Sequence, residues 1–236
     1  MLGLPASISI ALFDLDGVLT NTAVLHKNAW KQAFDGFLGA RHGEEFVPFT
    51  EQDYLHYVDG RPRAEGVRSF LGSRHIEVTD DVVDEIGTCK NDLVLASLKL
   101  GEVESYPGSV RYLAAVRGAG LGVGVVTSSE NGRAVLDAAD LSRFVQARVD
   151  GTDIARQKLR GKPAPDSFLA GARAFGVDPR NAAVFEDALS GIEAGRAGGF
   201  GYVVGVDRVG GGQHAAAMRA AGADVVVTDL AELLPA

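Results

Sequence analysis

Short runs of apolar residues recur along the chain, and most of them are rich in β-branched side chains. The clearest runs are residues 7–13, 122–126, 183–185, 202–206 and 224–227, and a weaker run covers residues 147–149. Continuous apolar runs of this length are typical of strands that are buried on both faces of a parallel sheet. The pattern therefore predicts a buried parallel sheet built from short strands.

Helical patterns lie between most of these runs. They cover residues 109–117, 133–139, 167–175, 188–197 and 213–221. The alternation of strand and helix predicts an α/β fold with a Rossmann-like parallel sheet core, helices on both faces and right-handed crossovers.

Residues 22–100 interrupt this alternation. They contain helical patterns at residues 23–38, 64–71 and 80–98, but no convincing buried strand. We therefore predict an inserted α-helical cap domain over residues 22–100 and a core domain formed by residues 1–21 and 101–236.

The composition is that of an ordinary globular protein, with 46% hydrophobic and 23% charged residues in a chain of 236. Its 23 basic and 31 acidic residues give a net charge of -8, which disfavours binding to nucleic acid or to an anionic membrane surface. No apolar run is long enough to span a bilayer, the N-terminus lacks the pattern of a secretory signal, and the single cysteine, Cys89, cannot form an internal disulfide. These features predict a cytoplasmic protein.

The most specific chemical feature directly follows the first predicted strand, in the sequence Asp14-Leu15-Asp16-Gly17. Open α/β sheets bind ligands at the carboxyl ends of their strands, and residues two apart on a strand face the same side. Two carboxylates held this close repel each other unless a cation or a proton intervenes, and Mg²⁺ prefers oxygen ligands. We predict that Asp14 attacks phosphorus as a nucleophile and that Asp16 acts as general acid and base.

Three later sites along the chain supply groups of matching chemistry. Thr127 can hold phosphoryl oxygens through its hydroxyl and neighbouring amides, and Lys162 offers a positive charge to a transferred phosphoryl group and to Asp14. Glu186 and Asp187 can bind magnesium directly or through water. Each site alone also has a purely structural explanation, such as a surface loop for Lys162 or a helix N-cap for Asp187.

Together, the four sites resemble the four signature motifs of the haloacid dehalogenase superfamily, in order and over nearly the whole chain. Within that superfamily the chain is most similar to the β-phosphoglucomutases. That similarity is carried by Thr20-Asn21-Thr22-Ala23, Gly60-Arg61-Pro62-Arg63, Lys90-Asn91 and Ser128-Ser129-Glu130-Asn131. The resemblance implies a Mg²⁺-dependent phosphoryl-transfer enzyme. The metal ligands it implies are Asp14, Asp16, Glu186 and Asp187.

The resemblance also implies substrate contacts from the cap and from the loop after the second motif. The residues concerned are His26, Arg63, Lys90, Ser128, Ser129 and Asn131. A mutase must hold two phosphoryl groups, and Arg63 is the best candidate for the second because a guanidinium can bind phosphate through two parallel hydrogen bonds. His26 lies where it can form a hydrogen bond near Asp16. The alternatives are a solvated arginine, a structural histidine and, for Lys90, an ordinary exposed helix lysine.

The implied reaction interconverts β-hexose 1-phosphate and hexose 6-phosphate through an aspartyl-phosphate enzyme and a bisphosphate intermediate. A magnesium-dependent sugar-phosphate phosphatase on the same scaffold is the main alternative. A non-catalytic binding protein is a further alternative, which the competent residues at all four sites disfavour. The expected partner is a small phosphorylated sugar, and the expected assembly is a monomer or a weak homo-oligomer. The chain departs from the family pattern at Asn21, where the relatives are frequently acidic, and in a long stretch over residues 150–160.

Overall fold

A computed structural model of the protein describes residues 2–235. Its core is one six-stranded sheet in which every neighbouring pair is parallel, in the order β3-β2-β1-β4-β5-β6. The strands are β1 (Ile10–Phe13), β2 (Gly122–Val126), β3 (Ala147–Val149), β4 (Ala182–Glu186), β5 (Tyr202–Val206) and β6 (Val225–Val227). The parallel sheet predicted from the apolar runs is confirmed. The first strand is shorter than its run, because it begins at Ile10 and not at residue 7.

Ten helices complete the fold within residues 2–235. They are α1 (Thr22–His42), α2 (Glu51–Asp53), α3 (Arg63–Ser73), α4 (Asp80–Lys99), α5 (Pro107–Gly118), α6 (Gly132–Ala138), α7 (Gly151–Gln157), α8 (Asp166–Ala174), α9 (Leu189–Ala197) and α10 (Gln213–Ala221). A π-helical turn, Tyr54–Val58, continues α2, and short 3₁₀ turns cover Gly43–Glu45, Ser142–Phe144, Pro179–Asn181 and Leu230–Leu233. The long stretch noted over residues 150–160 is largely taken up by α7. No helix in the described part of the chain is long and apolar enough to cross a membrane.

The sheet is buried on both faces because alternate residues of its strands enter two different hydrophobic clusters. In β1, Phe13 packs with Tyr112 and Phe185 on one face, whereas Leu12 packs with Phe168 on the other. All four residues of β1 are buried, so the strand cannot shift in register without moving apolar groups to the wrong face. This packing fixes the carboxyl end of β1, where Asp14 begins the next turn.

Residues 22–100, here called the helical insertion, have a hydrophobic cluster of their own. Trp30 stacks on Phe34, and Phe34 packs in turn against Phe49 and Phe70. The main chain of the insertion also contacts the loop that follows β2. Ser128 donates a hydrogen bond to the carbonyl of Gly60 at 2.7 Å. These contacts hold the insertion over the carboxyl ends of the strands.

Candidate active site

Asp14 lies at the carboxyl end of β1 and is joined to a fully buried lysine. Nζ of Lys162 donates to Oδ1 of Asp14 at 2.5 Å and to Oε1 of Glu186 at 2.6 Å. Burial alone would lower the pKa of Lys162, but the two carboxylates raise it above its ordinary value. The ammonium is therefore charged and faces two carboxylates at once. The sequence prediction placed Lys162 beside Asp14, and the geometry brings them together.

Glu186 faces away from the cavity in which a substrate would lie. Its second oxygen, Oε2, accepts a hydrogen bond from the backbone N–H of Ala188 at 2.7 Å. Gly191 permits this position, because a Cβ there would lie 1.8 Å from Oε1. With both oxygens engaged, Glu186 holds Lys162 in place. The metal-binding role that the resemblance implies for Glu186 stays a prediction.

The carboxylate of Asp16 is surrounded by groups that stabilise its charged form. Its Oδ1 accepts from the hydroxyl of Thr22 and lies 3.3 Å from Nε2 of His26, and its Oδ2 accepts from the hydroxyl of Thr127 at 3.2 Å. Burial would raise the pKa of Asp16, but His26 and Thr22 outweigh it and hold the pKa well below its usual range. Asp16 is therefore ionised, and His26, Thr22 and Thr127 fix the direction of its carboxylate.

Lys90 extends this arrangement into the insertion. Its Nζ lies 2.6 Å from Nδ1 of His26 and 5.2 Å from the centre of the Trp30 ring. An ammonium group can only donate, so Nδ1 accepts and the ring proton belongs on Nε2, facing Asp16. Burial lowers the pKa of Lys90 to about 8, against the opposing effect of Asp16. Lys90 is buried and in contact with His26, unlike the exposed helix lysine considered above.

Negative charge in the site exceeds what Lys162 can neutralise. Asp187 lies against the turn after β1, since a Cβ on Gly17 would be 1.8 Å from its Oδ2. Burial and the neighbouring carboxylates raise the pKa of Asp187 well above its ordinary value, and burial raises that of Asp14 although Lys162 opposes it. Burial, with Glu186 next, also raises the pKa of Asp59 to about 7. An all-oxygen donor set with this uncompensated charge fits a hard divalent cation.

The donors do not yet form a complete coordination sphere. Among residues 2–235, no three acidic, histidine or cysteine side chains have the mutual spacing of a metal site. Asp14 and Asp187 nevertheless line the same cavity. These two carboxylates would hold a hard cation, which would supply positive charge beside Asp14.

One cavity collects most of the predicted residues from the sheet edge and from the insertion. It is lined by Asp14, Asp16, His26, Arg63, Lys90, Thr127, Ser128, Ser129, Asn131 and Asp187, among others. The backbone N–H of Ser129 donates to the hydroxyl of Thr127 at 3.0 Å, and Nδ2 of Asn131 donates to Oδ1 of Asn91 at 2.9 Å. Arg63 forms an ion pair with Glu130, 2.8 Å between Nη2 and Oε2. Two predicted residues, Lys162 and Glu186, lie behind this cavity.

Asp59 and Tyr54 line the same cavity and were missed by the sequence analysis. Asp59 directly precedes Gly60, in the segment that carried the resemblance to β-phosphoglucomutases. Aspartates are mostly exposed, and nothing in the local sequence distinguishes this half-buried one from a solvated turn residue. The adjacent glycine, which has φ of 71°, was the available signal of a turn facing the site.

Comparison with known proteins supports the family resemblance. A family model for haloacid dehalogenase-like hydrolases matches residues 8–199. The β-phosphoglucomutase of Mycobacterium bovis is 54% identical, over 99% of this chain and 94% of the relative. Validoxylamine A 7'-phosphate phosphatase of Streptomyces hygroscopicus subsp. limoneus is 30% identical, over 95% of this chain and 95% of the relative. The crystal structure of β-phosphoglucomutase from Clostridium difficile superposes with a TM-score of 0.78, at 24% identity, over 96% of this chain and 93% of that one, which shows a common fold.

Proposed function

We propose that this chain, which belongs to the haloacid dehalogenase-like hydrolase family, is a β-phosphoglucomutase. It interconverts β-hexose 1-phosphate and hexose 6-phosphate through a phosphorylated Asp14 and a sugar bisphosphate. One observation carries the proposal. A single cavity contains two carboxylates in different charge environments, Asp14 and Asp16, together with a cation from the insertion, Arg63. The high identity to a β-phosphoglucomutase over almost the whole chain points to the same reaction.

The proposed mechanism divides each transfer between the two aspartates. When Asp14 takes up a phosphoryl group, its oxygen attacks phosphorus, the bond from phosphorus to the sugar oxygen breaks, and Asp16 gives that oxygen the proton that it took from a sugar hydroxyl in the preceding transfer. In the next transfer, Asp16 takes the proton from a hydroxyl of the second sugar phosphate while that oxygen attacks the phosphoryl group on Asp14. The ionised state of Asp16 described above suits this second step. Thr127 and Lys162 stabilise the charge on the moving group.

Magnesium is the cofactor that we propose for this site. Asp14 and Asp187 would hold it beside the turn after β1, with Asp16 close by, and its charge would allow the Asp14 carboxylate to approach a phosphate dianion. Lys162 alone cannot neutralise both the Asp14 carboxylate and the phosphate, because its ammonium is already shared with Glu186. The balance of charge around Asp14 therefore favours a second cation.

We propose that the insertion is the cap domain, residues 22–100, which closes on a core domain of residues 1–21 and 101–236. Its separate hydrophobic cluster supports a unit that moves as one body. Its contacts with the core, from Ser128 to Gly60 and from Ser190 to the carbonyl of Asp59 at 2.9 Å, support the proposal that this arrangement is the closed form. Closure would exclude water from the phosphorylated Asp14 and favour transfer to a sugar hydroxyl.

A product assay tests the proposal. The protein is incubated with β-glucose 1-phosphate, Mg²⁺ and a trace of glucose 1,6-bisphosphate, and glucose 6-phosphate and inorganic phosphate are measured in the same samples. We expect glucose 6-phosphate to be the dominant product. Dominant release of inorganic phosphate would reject the mutase assignment.

The phosphatase alternative is favoured by one contact. Arg63, the group assigned to a second phosphate, is already paired with Glu130. A relative of similar length is named as a phosphatase. In that case water replaces the second sugar phosphate as acceptor, and the same assay releases inorganic phosphate.

A further inference from the structure

Glu130 lies in the loop between β2 and α6, and its carboxylate reaches the insertion. Nη2 of Arg63 and Oε2 of Glu130 are 2.8 Å apart, with the two side chains 29% and 46% exposed. Both residues line the cavity that contains Asp14 and Asp16. An anionic group of the protein itself therefore occupies the guanidinium that the proposed function assigns to the second phosphate.

Arg63 is packed against neighbouring residues, whereas Glu130 is largely free to change its side-chain conformation. Arg63 is the first residue of α3, and its stem lies against α4, since a Cβ on Gly87 would be 3.3 Å from its Cδ and Nε. Glu130 lies in a loop and is nearly half exposed, and within residues 2–235 its carboxylate has Arg63 as its one polar partner. Glu130 can therefore turn toward solvent while the guanidinium of Arg63 stays in place.

We propose that Glu130 is a specificity-determining residue, whose carboxylate competes with the second phosphate of the substrate for Arg63. The inference rests on the proposed function. A carboxylate and a phosphate dianion repel each other, so a sugar bisphosphate must displace Glu130 before it gains the Arg63 contact. Glu130 thus weakens the binding of doubly phosphorylated sugars and pairs with the guanidinium of Arg63 when no such ligand is present.

The expected effect is modest because the pair is partly exposed. Exposed ion pairs shift an equilibrium by about 1.4- to 5-fold. We therefore expect Glu130→Gln to bind glucose 1,6-bisphosphate about two- to fivefold more tightly. In a background that lacks the guanidinium, Arg63→Gln, the same Glu130→Gln change should alter binding by less than about 1.5-fold, because nothing remains to compete for.

Binding is measured by titration calorimetry with glucose 1,6-bisphosphate and Mg²⁺, with all variants in an Asp14→Asn background. This background cannot be phosphorylated, so the ligand stays intact and the result does not depend on whether the enzyme is a mutase or a phosphatase. Failure of the mutase assignment appears only in the product assay above. Glu85→Gln is the matched control. Glu85 is exposed on α4 and does not line the cavity, and its substitution removes the same charge.

Comparison of Glu130→Gln, Arg63→Gln, the double variant and Glu85→Gln decides whether Glu130 competes for Arg63. Tighter binding by Glu130→Gln that disappears in the Arg63→Gln background, with Glu85→Gln unchanged, supports the competition. Unchanged or weaker binding by Glu130→Gln overturns it. Tighter binding that persists undiminished without Arg63, or that Glu85→Gln reproduces, also overturns it, because the effect would then be one of net charge.

Discussion

Replacing Lys162 tests the charge balance of the site most directly. The side chain is fully buried, and its Nζ lies 2.5 Å from Asp14 and 2.6 Å from Glu186. A methionine keeps most of the volume but leaves two buried carboxylates without their cation. Removing one partner of a buried ion pair costs about 3–5 kcal/mol, whereas a near-isosteric change of shape costs about 1.5 kcal/mol or less. We expect Lys162→Met to lower the free energy of unfolding by roughly 3 kcal/mol or more near neutral pH.

The loss should depend on pH with a defined sign. Burial raises the pKa of Asp14 above its ordinary value of 3.8, and Lys162 opposes this rise. Without Lys162 the pKa of Asp14 in the folded state rises further, so the folded state keeps a proton that the unfolded state releases. The free energy of unfolding falls with rising pH wherever the folded state binds more protons. The deficit should be small near the ordinary pKa and grow as the pH rises through the raised one.

Urea unfolding followed by circular dichroism, in the presence of EDTA and at a series of pH values, measures this deficit. Lys99→Met is the control, because Lys99 is exposed at the end of α4 and removes the same charge. Its effect should be about 0.5 kcal/mol or less. A Lys162→Met variant as stable as the wild type, or one with the same deficit at every pH, would refute the ion-pair account of Asp14.

Three further predictions concern turnover. Asp14→Asn should abolish formation of glucose 6-phosphate while the circular dichroism spectrum stays that of the wild type; residual turnover would point to another nucleophile. EDTA should abolish turnover, and added Mg²⁺ should restore it. Ca²⁺ should restore less activity because it prefers six to eight oxygen ligands. Activity that survives EDTA would contradict the metal assignment. Since burial lowers the pKa of Lys90 to about 8, kcat should fall as the pH rises through that value, and Lys90→Met, which cannot donate to His26, should lose this decline. A pH profile that is identical in both proteins would exclude Lys90 as its source.

The sheet could be predicted because each buried strand is a continuous apolar run. The residues of β2 and β5, Gly122–Val126 and Tyr202–Val206, match the predicted runs at both ends, and α10 matches its predicted helix. The start of β1 was misplaced because Ile8 extends the apolar pattern toward the N-terminus, although Ser7 and Ser9 beside it are polar. Ser9 nevertheless lies outside the strand, although its N–H donates to the carbonyl of Asn181 at 2.8 Å and its carbonyl accepts from the N–H of Gly122 at 3.0 Å. Apolar pattern alone does not show where ladder pairing begins.

The sequence indicated which residues form the site, but not which of their side chains form ion pairs with one another. The position of Asp14 after a strand and of Lys162 in its proline-flanked loop indicated the chemistry. The ion pair of Arg63 with Glu130 joins residues 67 apart in the chain, and its existence depends on how the insertion lies against the sheet edge. The same is true of Glu186, whose carboxylate turns toward Lys162 and away from the cavity. Side-chain direction of this kind is decided by tertiary packing, which local spacing does not encode.

Asp14 and Asp16 are the same residue type, two positions apart, and their surroundings separate their chemistry. Burial raises the pKa of Asp14 although Lys162 opposes this rise, so a bound cation would further favour the carboxylate form that can attack phosphorus. The pKa of Asp16 is lowered by His26, although burial opposes this, and His26 is held in turn by Lys90. Both of these partners belong to the insertion. An insertion lifted from the sheet would therefore take His26 and Lys90 away from Asp16 and would let water reach Asp14. On this reasoning, closure positions Asp16 through His26 and excludes water as a competing acceptor in one movement, which favours transfer to a sugar hydroxyl.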